Sequence, residues 1–269
     1  AHTPGGLVAL QSDLGNIRVM DGAVVNVGGG SGGNAGTISM TARNGSVEVA
    51  ANSLKGQAAE GNTGGSFLLD SKSITDFSTL NAALNAGGFD ATRSLRLRDG
   101  DFNIAAADVV KAQNIILSAD NGSFNLHGTL DASGQQGGKV KVFAHNDLNL
   151  KAGSKVLAKA EASGGKGGDV LLSSDTGTIN AEVFSGGQRL ADAAVIDVSG
   201  NTKGEVTMRA ERVGAFGLKV ATDAPAAITG ASKVVLESLK VINSGSTINA
   251  ATLATVGADT TAFYSGAAT

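Results

Sequence analysis

Cysteine and tryptophan are absent from this 269-residue chain, which also has only two prolines and 4% aromatic residues. The absence of cysteine excludes disulfides, thiolate catalysis and cysteine-ligated zinc. Hydrophobic residues make up 42% of the chain, so a core is available. Because alanine, valine, leucine and isoleucine supply most of that fraction, the composition predicts a thin core of small aliphatic side chains.

No strong field of either sign surrounds this chain, since its net charge is −3 and its pI about 5.6. Nucleic acid and anionic lipid are therefore not expected as partners. No run approaches the roughly 18 consecutive apolar residues of a membrane-spanning helix, so membrane insertion is not expected either. The opening AHTPGG has no features of a targeting segment, which suggests a fragment of a longer chain.

One element, a glycine or glycine pair followed by alternating apolar residues, recurs along the chain. Its copies are GTISMTA (36–42), GGSFLLDS (64–71), GGKVKVFA (137–144), GGDVLLSS (167–174) and KGEVTMRA (203–210). Three of the steps between copies are 29, 30 and 36 residues, from Gly36 to Gly65, Gly138 to Gly168 and Gly168 to Gly204. The remaining gap of 73 residues, from Gly65 to Gly138, is interpreted as two repeats plus an insertion.

Two further elements recur at the same spacing. One is a turn followed by a strand, of the form [DN]-x-G-[ST]-h-x-h with h apolar, as in DNGSFNL (120–126). The other is a segment that ends in Ser-Gly, as in GTLDASG (128–134) and KAEASG (159–164). Alternation of apolar and polar residues predicts strands with one buried face. Short strands without crossover helices satisfy their backbones by stacking coil upon coil. The sequence therefore predicts an all-β fold, a right-handed parallel β-helix of ten or so coils running as one solenoid over 1–269, with 241–269 as a last coil or a loose tail.

The segment 73–90 breaks this alternation and places Phe77, Leu80 and Leu84 at helical spacing. Asp76 or Ser78 can cap such a helix, and the glycines at 87–88 can stop it. We expect a short helical insertion near 76–87 that covers the side of the rod.

Arg96 and Arg98 alternate with two leucines in the following strand, so both guanidinium groups are expected on one face. That face could hold a carboxylate or an acidic glycan. The alternative is a solvent-facing strand whose charge is neutralised by Asp99 and Asp101 beside it.

Residues 164–172, GGKGGDVLL, satisfy the calcium-binding nonapeptide pattern. Such rolls bind each ion between tandem copies, yet this chain repeats at about 30 residues. At the position of Asp169 the other copies carry Thr37, Ser66, Lys139 and Glu205. The stretch therefore predicts a glycine turn entering a strand, and we expect neither a metal site nor a cofactor.

Catalysis finds little support, because the only histidines are His2, His127 and His145, scattered along the chain. Carbohydrate-active enzymes on the same fold use clustered carboxylates. The candidate acids Asp99, Asp101, Asp120, Asp131 and Asp147 fall mostly at turn positions, where aspartate serves the backbone. With Tyr264 as the only tyrosine and no tryptophan, a sugar-stacking cleft is not expected, and the chain is predicted not to be an enzyme.

The order of these pieces resembles filamentous-haemagglutinin-like large exoproteins of two-partner secretion. The resemblance rests on the helix that ends in GGF (87–89), on RSLRLRDGD (93–101), and on GTLDASG, GGKVKVFA and DLNLKAGSKV (147–156) in succession. It implies a β-helical shaft secreted to the cell surface of a Gram-negative bacterium through an outer-membrane transporter. It also implies an adhesin or biofilm-matrix role, with extracellular polysaccharide or a host or neighbouring cell surface as partner. The alternative is a polysaccharide-binding or polysaccharide-degrading β-helix protein.

Overall fold

The repeated strands stack into a parallel β-solenoid of about eight turns, which confirms the predicted parallel β-helix and its repeat character. The structure is a computed structural model, and it describes residues 3–214, 217–240, 242 and 247–267. We number the coils from the first residue of each strand in the longest sheet. Coils 1 to 8 begin at Leu7, Thr37, Ser66, Thr92, Asn114, Lys139, Asp169 and Gly204.

Coils 1 to 3 contain six strands and one helix. They are β1 (Leu7–Gln11), β2 (Ile17–Val19), β3 (Val25–Asn26), β4 (Thr37–Val49), β5 (Leu54–Lys55), β6 (Ser66–Ile74) and α1 (Phe77–Ala86).

Coils 4 to 7 have three stacked strands each, and coil 7 adds a hairpin. They are β7 (Thr92–Leu97), β8 (Phe102–Ile104), β9 (Val109–Lys111), β10 (Asn114–Ala119), β11 (Phe124–Leu126), β12 (Thr129–Asp131), β13 (Lys139–Ala144), β14 (Leu148–Leu150), β15 (Lys155–Leu157), β16 (Asp169–Ser174), β17 (Ile179–Ala181), β18 (Phe184–Ser185), β19 (Gln188–Arg189) and β20 (Val195–Asp197).

Coil 8 and the residues after it are less regular. They contain β21 (Gly204–Val213), β22 (Gly217–Leu218), a 3₁₀ turn (Ala224–Ala227), β23 (Ile228–Thr229), β24 (Ala231–Leu239) and α2 (Ala250–Ala267).

One sheet, which we call the long sheet, runs through every coil, with its strands parallel and in register in the order β1, β4, β6, β7, β10, β13, β16, β21, β24. Two shorter sheets complete the coils, and their orders are β8-β11-β14-β17 and β9-β12-β15-β20-β23. In coils 1 and 2, β2 pairs with the second half of β4, and β3 pairs with β5. Each backbone ladder therefore runs along the solenoid axis.

The core is a set of aliphatic columns inside the coils, as the composition predicts. Along the long sheet, Ile115, Val140, Val170 and Val206 lie in register and are at most 2% exposed. In the second sheet, the Phe102 and Phe124 rings pack edge to face with their centroids 5.5 Å apart. Because each side chain meets its equivalents in the coils above and below, burial depends on stacking.

The glycines before the long-sheet strands are required by close approach between coils. A Cβ on Gly138, Gly168 or Gly204 would lie 2.0 Å from a backbone oxygen of the preceding coil. None of the three has a positive φ. At these corners glycine is therefore required because a Cβ has no room, and not because of a left-handed backbone.

The coil lengths correct the repeat count made from the sequence. The 73-residue gap holds three coils, whose register steps run from Ser66 to Thr92, Asn114 and Lys139. The glycine pattern does not reveal these coils, because the coils at Thr92 and Asn114 do not begin with a glycine pair. The total is about eight turns, fewer than the ten predicted.

The Ser-Gly copy at 159–164 is also out of register. Gly134 bridges to Ala160, so 161–164 is extra chain in the corner of coil 6.

The predicted helix is present as α1, but its position differs from the prediction. Asp76 caps it by accepting a hydrogen bond from the Thr79 amide at 3.0 Å, and Gly87 and Gly88 end it. Instead of lying on the side of the rod, α1 takes the place of the second and third strands of coil 3. Leu80 and Leu84 are each 1% exposed and join the common core.

A buried arginine fixes α1 in that place. Arg93 occupies an inward position of β7, between Phe67 and Ile115 in register, and is 1% exposed. Its Nε donates to the Phe89 carbonyl at 2.7 Å and its Nη1 to Asn81 Oδ1 at 3.0 Å. Burial lowers the pKa of Arg93 to about 10, against a weaker opposite effect of Asp90.

The C-terminal segment is neither a last coil nor a loose tail in its described part. Residues 250–267 form α2, and Asn249 caps it by accepting from the Thr252 amide at 3.0 Å. Asp259 of α2 pairs with Arg212 and Lys240, which attaches the helix to the end of the solenoid. Residues 241, 243–246 and 268–269 of the predicted segment lie outside the described residues.

Candidate functional site

Three arginines and two aspartates meet on the outer face of the long sheet in coils 2 to 5. We call Arg43, Asp70, Arg96, Arg98 and Asp120 the arginine cluster. Arg98 binds Asp70 with two hydrogen bonds, from Nε at 2.6 Å and from Nη2 at 2.9 Å. Arg43 Nε reaches the same carboxylate at 3.2 Å from the coil below, and Arg96 Nε donates to Asp120 Oδ2 at 2.7 Å.

The partners of Arg96 and Arg98 differ from those predicted. Both guanidinium groups project outward as expected, but Asp120 and Asp70 neutralise them instead of Asp99 and Asp101. The reason is the stacking, which brings an outward residue within about 4.8 Å of its equivalents in adjacent coils. These partners are 24 and 28 residues away in sequence.

The cluster shifts the pKa values of its members. Hydrogen bonding to Arg98 is the main cause that lowers the pKa of Asp70 below its ordinary value of 3.8, with smaller contributions from Arg43 and Arg96. Partial burial opposes this shift. The same bond raises the pKa of Arg98, so the pair is held in its charged form.

Beside the cluster lies a shallow depression rich in hydroxyl groups. Arg96 lines this depression, whereas Arg43 lies farther along the same face. Their side chains are 51% and 64% exposed, against 31% for Arg98. Leu68 stands at the centre of the face and is 37% exposed. Around it, on the outward positions of β4, β6 and β7, are Thr37, Ser39, Thr41, Ser66, Thr92 and Ser94.

An asparagine ladder, which was not predicted from the sequence, runs along the second sheet. Asn103, Asn125, Asn149 and Asn180 lie in register. The amide nitrogens of Asn125, Asn149 and Asn180 each donate to the carbonyl oxygen of the asparagine in the preceding coil, at 2.8, 2.8 and 2.9 Å. The signal in the sequence is an asparagine between two apolar residues in FNI, FNL, LNL and INA. The ladder ties coils 4 to 7 together on their outer surface.

The glycine turn at 164–172 enters β16 as predicted, with Asp169 exposed at its first position. Lys139 and Glu205 are its register neighbours. Across the part of the chain that the structure describes, no group of three or more histidine, aspartate or glutamate side chains is placed to hold a metal ion.

The candidate acids make backbone or ion-pair contacts. Asp101 accepts from the Ser123 amide at 2.8 Å, Asp131 from the Ser133 amide at 2.9 Å, and Asp147 from the Thr178 amide at 2.8 Å. Asp120 pairs with Arg96, and Asp99 lies 3.8 Å from Lys72. Asp101, Asp131 and Asp147 thus serve the backbone, as predicted, whereas Asp120 and Asp99 serve ion pairs.

The two described histidines, His127 and His145, lie on the surface, whereas His2 is outside the described residues. His145 Nδ1 is 3.8 Å from Asp175, and His127 is exposed. Neither the arginine cluster nor the asparagine ladder includes a histidine.

The fold defines the class of protein, a parallel β-helical repeat protein. No protein-family model, curated protein or solved structure matches the chain significantly. Within the described ranges, no helix is long and apolar enough to cross a membrane.

Proposed function

We propose that the chain is part of the structural and adhesive shaft of a secreted or cell-surface bacterial exoprotein. It would mediate attachment or cell–cell cohesion by extended display. The observation that carries the proposal is the long sheet, in which nine strands follow one another along one axis. Eight turns at the strand spacing correspond to about 40 Å of length.

The shaft works by physical means. Stacked coils convert repeat number into length, and the ladders along the axis resist bending. The outward side chains present a polar surface with several ion pairs between coils, such as Arg18 with Glu48 and Lys151 with Glu182. The proposal assigns no covalent chemistry to the chain.

The resemblance to filamentous-haemagglutinin-like exoproteins supplies the biological setting of the proposal. Secretion would pass through an outer-membrane transporter of a Gram-negative bacterium. The absence of cysteine suits a chain that crosses a pore unfolded, because no disulfide forms beforehand. The partner would be extracellular polysaccharide or the surface of a host or neighbouring cell.

Surface display tests the proposal. The 269-residue chain would be anchored on a laboratory Gram-negative bacterium. Cell aggregation and attachment to glass would be compared with Gly168→Val, whose side chain forces coils 6 and 7 apart. We expect the folded chain to raise both readouts at equal surface density. Equal aggregation and attachment by the two strains would contradict an adhesive shaft.

A further inference from the structure

We propose that the arginine cluster and the hydroxyl-rich depression beside it bind a carboxylate-bearing polysaccharide, one built from uronate sugars. This inference rests on the proposed function, because it names the partner that the shaft would hold. The binding surface spans coils 2 to 5 and consists of the exposed edges of Arg43 and Arg96, the hydroxyl groups of the face and Leu68.

Two exposed arginines of the cluster have N–H groups that no described residue uses. Arg43 and Arg96 each bind a carboxylate through Nε alone, and no described residue accepts a hydrogen bond from their terminal nitrogens. A guanidinium in this state presents further N–H donors to solvent. A ligand carboxylate accepts such paired N–H groups in a planar, two-bond geometry.

The guanidinium groups of the cluster are already held in place by hydrogen bonds within the protein. Asp70 receives three hydrogen bonds from two arginines, and Asp120 accepts from both Arg96 and Ser118, the latter at 3.0 Å. These contacts hold the exposed guanidinium groups before any ligand arrives. Less side-chain freedom is then lost on binding, which favours affinity.

The arginine cluster carries a net positive charge, since it has three arginines for two aspartates. The excess of one positive charge suits a ligand with one carboxylate per sugar. A densely sulfated chain carries more negative charge per sugar than this single excess positive charge offsets, and a neutral chain would leave the exposed guanidinium edges without an anion. Asp70 and Asp120 can also accept hydrogen bonds from sugar hydroxyls, and the surrounding hydroxyl groups can both accept and donate.

Another outward arginine in the same column of the long sheet allows a comparison with Arg96. Arg209 occupies the register position of Arg96 four coils away and pairs with Glu237. That pair is one arginine to one carboxylate: Nε donates to Glu237 Oε2 at 2.7 Å, and Nη2 lies 2.6 Å from the same oxygen. Its side chain is 39% exposed, less than those of Arg43 and Arg96, and no excess positive charge remains in the pair, so Arg209 serves as the matched control.

Isothermal titration calorimetry of the purified 269-residue chain tests the inference. The titrants are an oligogalacturonate, a neutral maltooligosaccharide and dextran sulfate. We expect the oligogalacturonate to bind, with affinity falling as salt rises. Arg43→Gln and Arg96→Gln should each weaken binding about tenfold, since a charged hydrogen bond is lost. Arg209→Gln should leave it unchanged, and Arg96→Lys should recover part of the loss.

Several results would overturn the inference: no binding of oligogalacturonate, equal binding of the neutral glycan, tighter binding of dextran sulfate, or an equal loss in Arg209→Gln. Circular dichroism of each variant shows whether the fold is intact. A displayed chain that promotes cell cohesion while its purified form ignores oligogalacturonate would remove this inference alone and leave the shaft in place.

Discussion

Coils 1 to 3 and coils 4 to 7 solve the same stacking problem in different ways. In coils 4 to 7 all three faces are continuous sheets, and the asparagine ladder and the Phe102–Phe124 pair add contacts between coils. In coils 1 to 3 the other two faces have only short ladders of their own, and α1 separates these from the short sheets of coils 4 to 7, so the long sheet alone runs through. Coil 1 also exposes large apolar side chains, among them Leu14 at 87% and Leu7 at 69%.

The difference teaches that one uninterrupted sheet suffices to carry the solenoid past an irregular coil. The helix is tolerated because it supplies Leu80 and Leu84 to the core at the place of the missing strands. Phe77 at its start packs edge to face on Phe102 of the next coil, with centroids 5.2 Å apart. We expect the two regions to respond differently to matched changes.

The largest effect should follow from a single methyl group at a corner of the regular region. Gly168→Ala would place a Cβ 2.0 Å from the Gly138 oxygen, so coils 6 and 7 must separate locally. We expect the free energy of unfolding to fall by about 3 kcal/mol in urea denaturation. Gly6→Ala in coil 1 is the control, because its Cβ meets open space. Equal losses in the two variants would show that steric approach is not the reason for the glycine.

Matched core deletions compare α1 with a stacked strand. Leu84→Ala and Leu126→Ala remove the same side chain from sites that are 1% and 0% exposed, and each should cost about 2 kcal/mol or more. Hydrogen exchange distinguishes them, because Leu126 lies between two coils of a continuous ladder. We expect faster exchange across coils 4 to 6 in Leu126→Ala, but mainly within α1 in Leu84→Ala. Identical exchange patterns would mean that the helix is part of the same cooperative unit.

The asparagine ladder predicts a smaller, position-dependent effect. Asn149→Ala removes two ladder hydrogen bonds from the middle, whereas Asn103→Ala removes one from the end. We expect a loss of about 1 kcal/mol for Asn149 and roughly half of that for Asn103 in thermal unfolding. A larger loss at Asn103 would contradict the additive ladder.

The arginine cluster predicts the smallest effect, and it depends on pH. The pKa of Asp70 is lowered in the folded state, so its contribution is present above the ordinary value of 3.8 and is lost as pH falls through the folded pKa. Asp70→Asn should therefore lower stability at pH 7 by up to about 1 kcal/mol and approach the parent protein in acid. Urea titrations at pH 7 and below pH 3.8 measure the difference, with Asp99→Asn as the control. A difference that persists unchanged in acid would exclude an ionic origin.

Periodicity made the fold predictable from the sequence, because most strands alternate apolar and polar residues and the glycine element recurs along the chain. The helix was predictable for the same reason, from Phe77, Leu80 and Leu84. Its place within the coil was not, since periodicity along the chain does not say what lies above and below. The same limit explains the partners of Arg96 and Arg98, which come from other coils. α2 escaped prediction because its alanines and threonines form no clear apolar stripe.

The axial direction of the ladders has a mechanical consequence. A pulling force applied along the axis acts on the hydrogen bonds of one coil at a time, so the chain should peel from an end and should not shear as a block. In coils 4 to 7 the register steps from Thr92 to Asn114 and from Asp169 to Glu205 are 22 and 36 residues. Each released coil would thus lengthen the chain by roughly 75 to 120 Å. A force spectrometer would record this as a series of unequal steps, one for each coil.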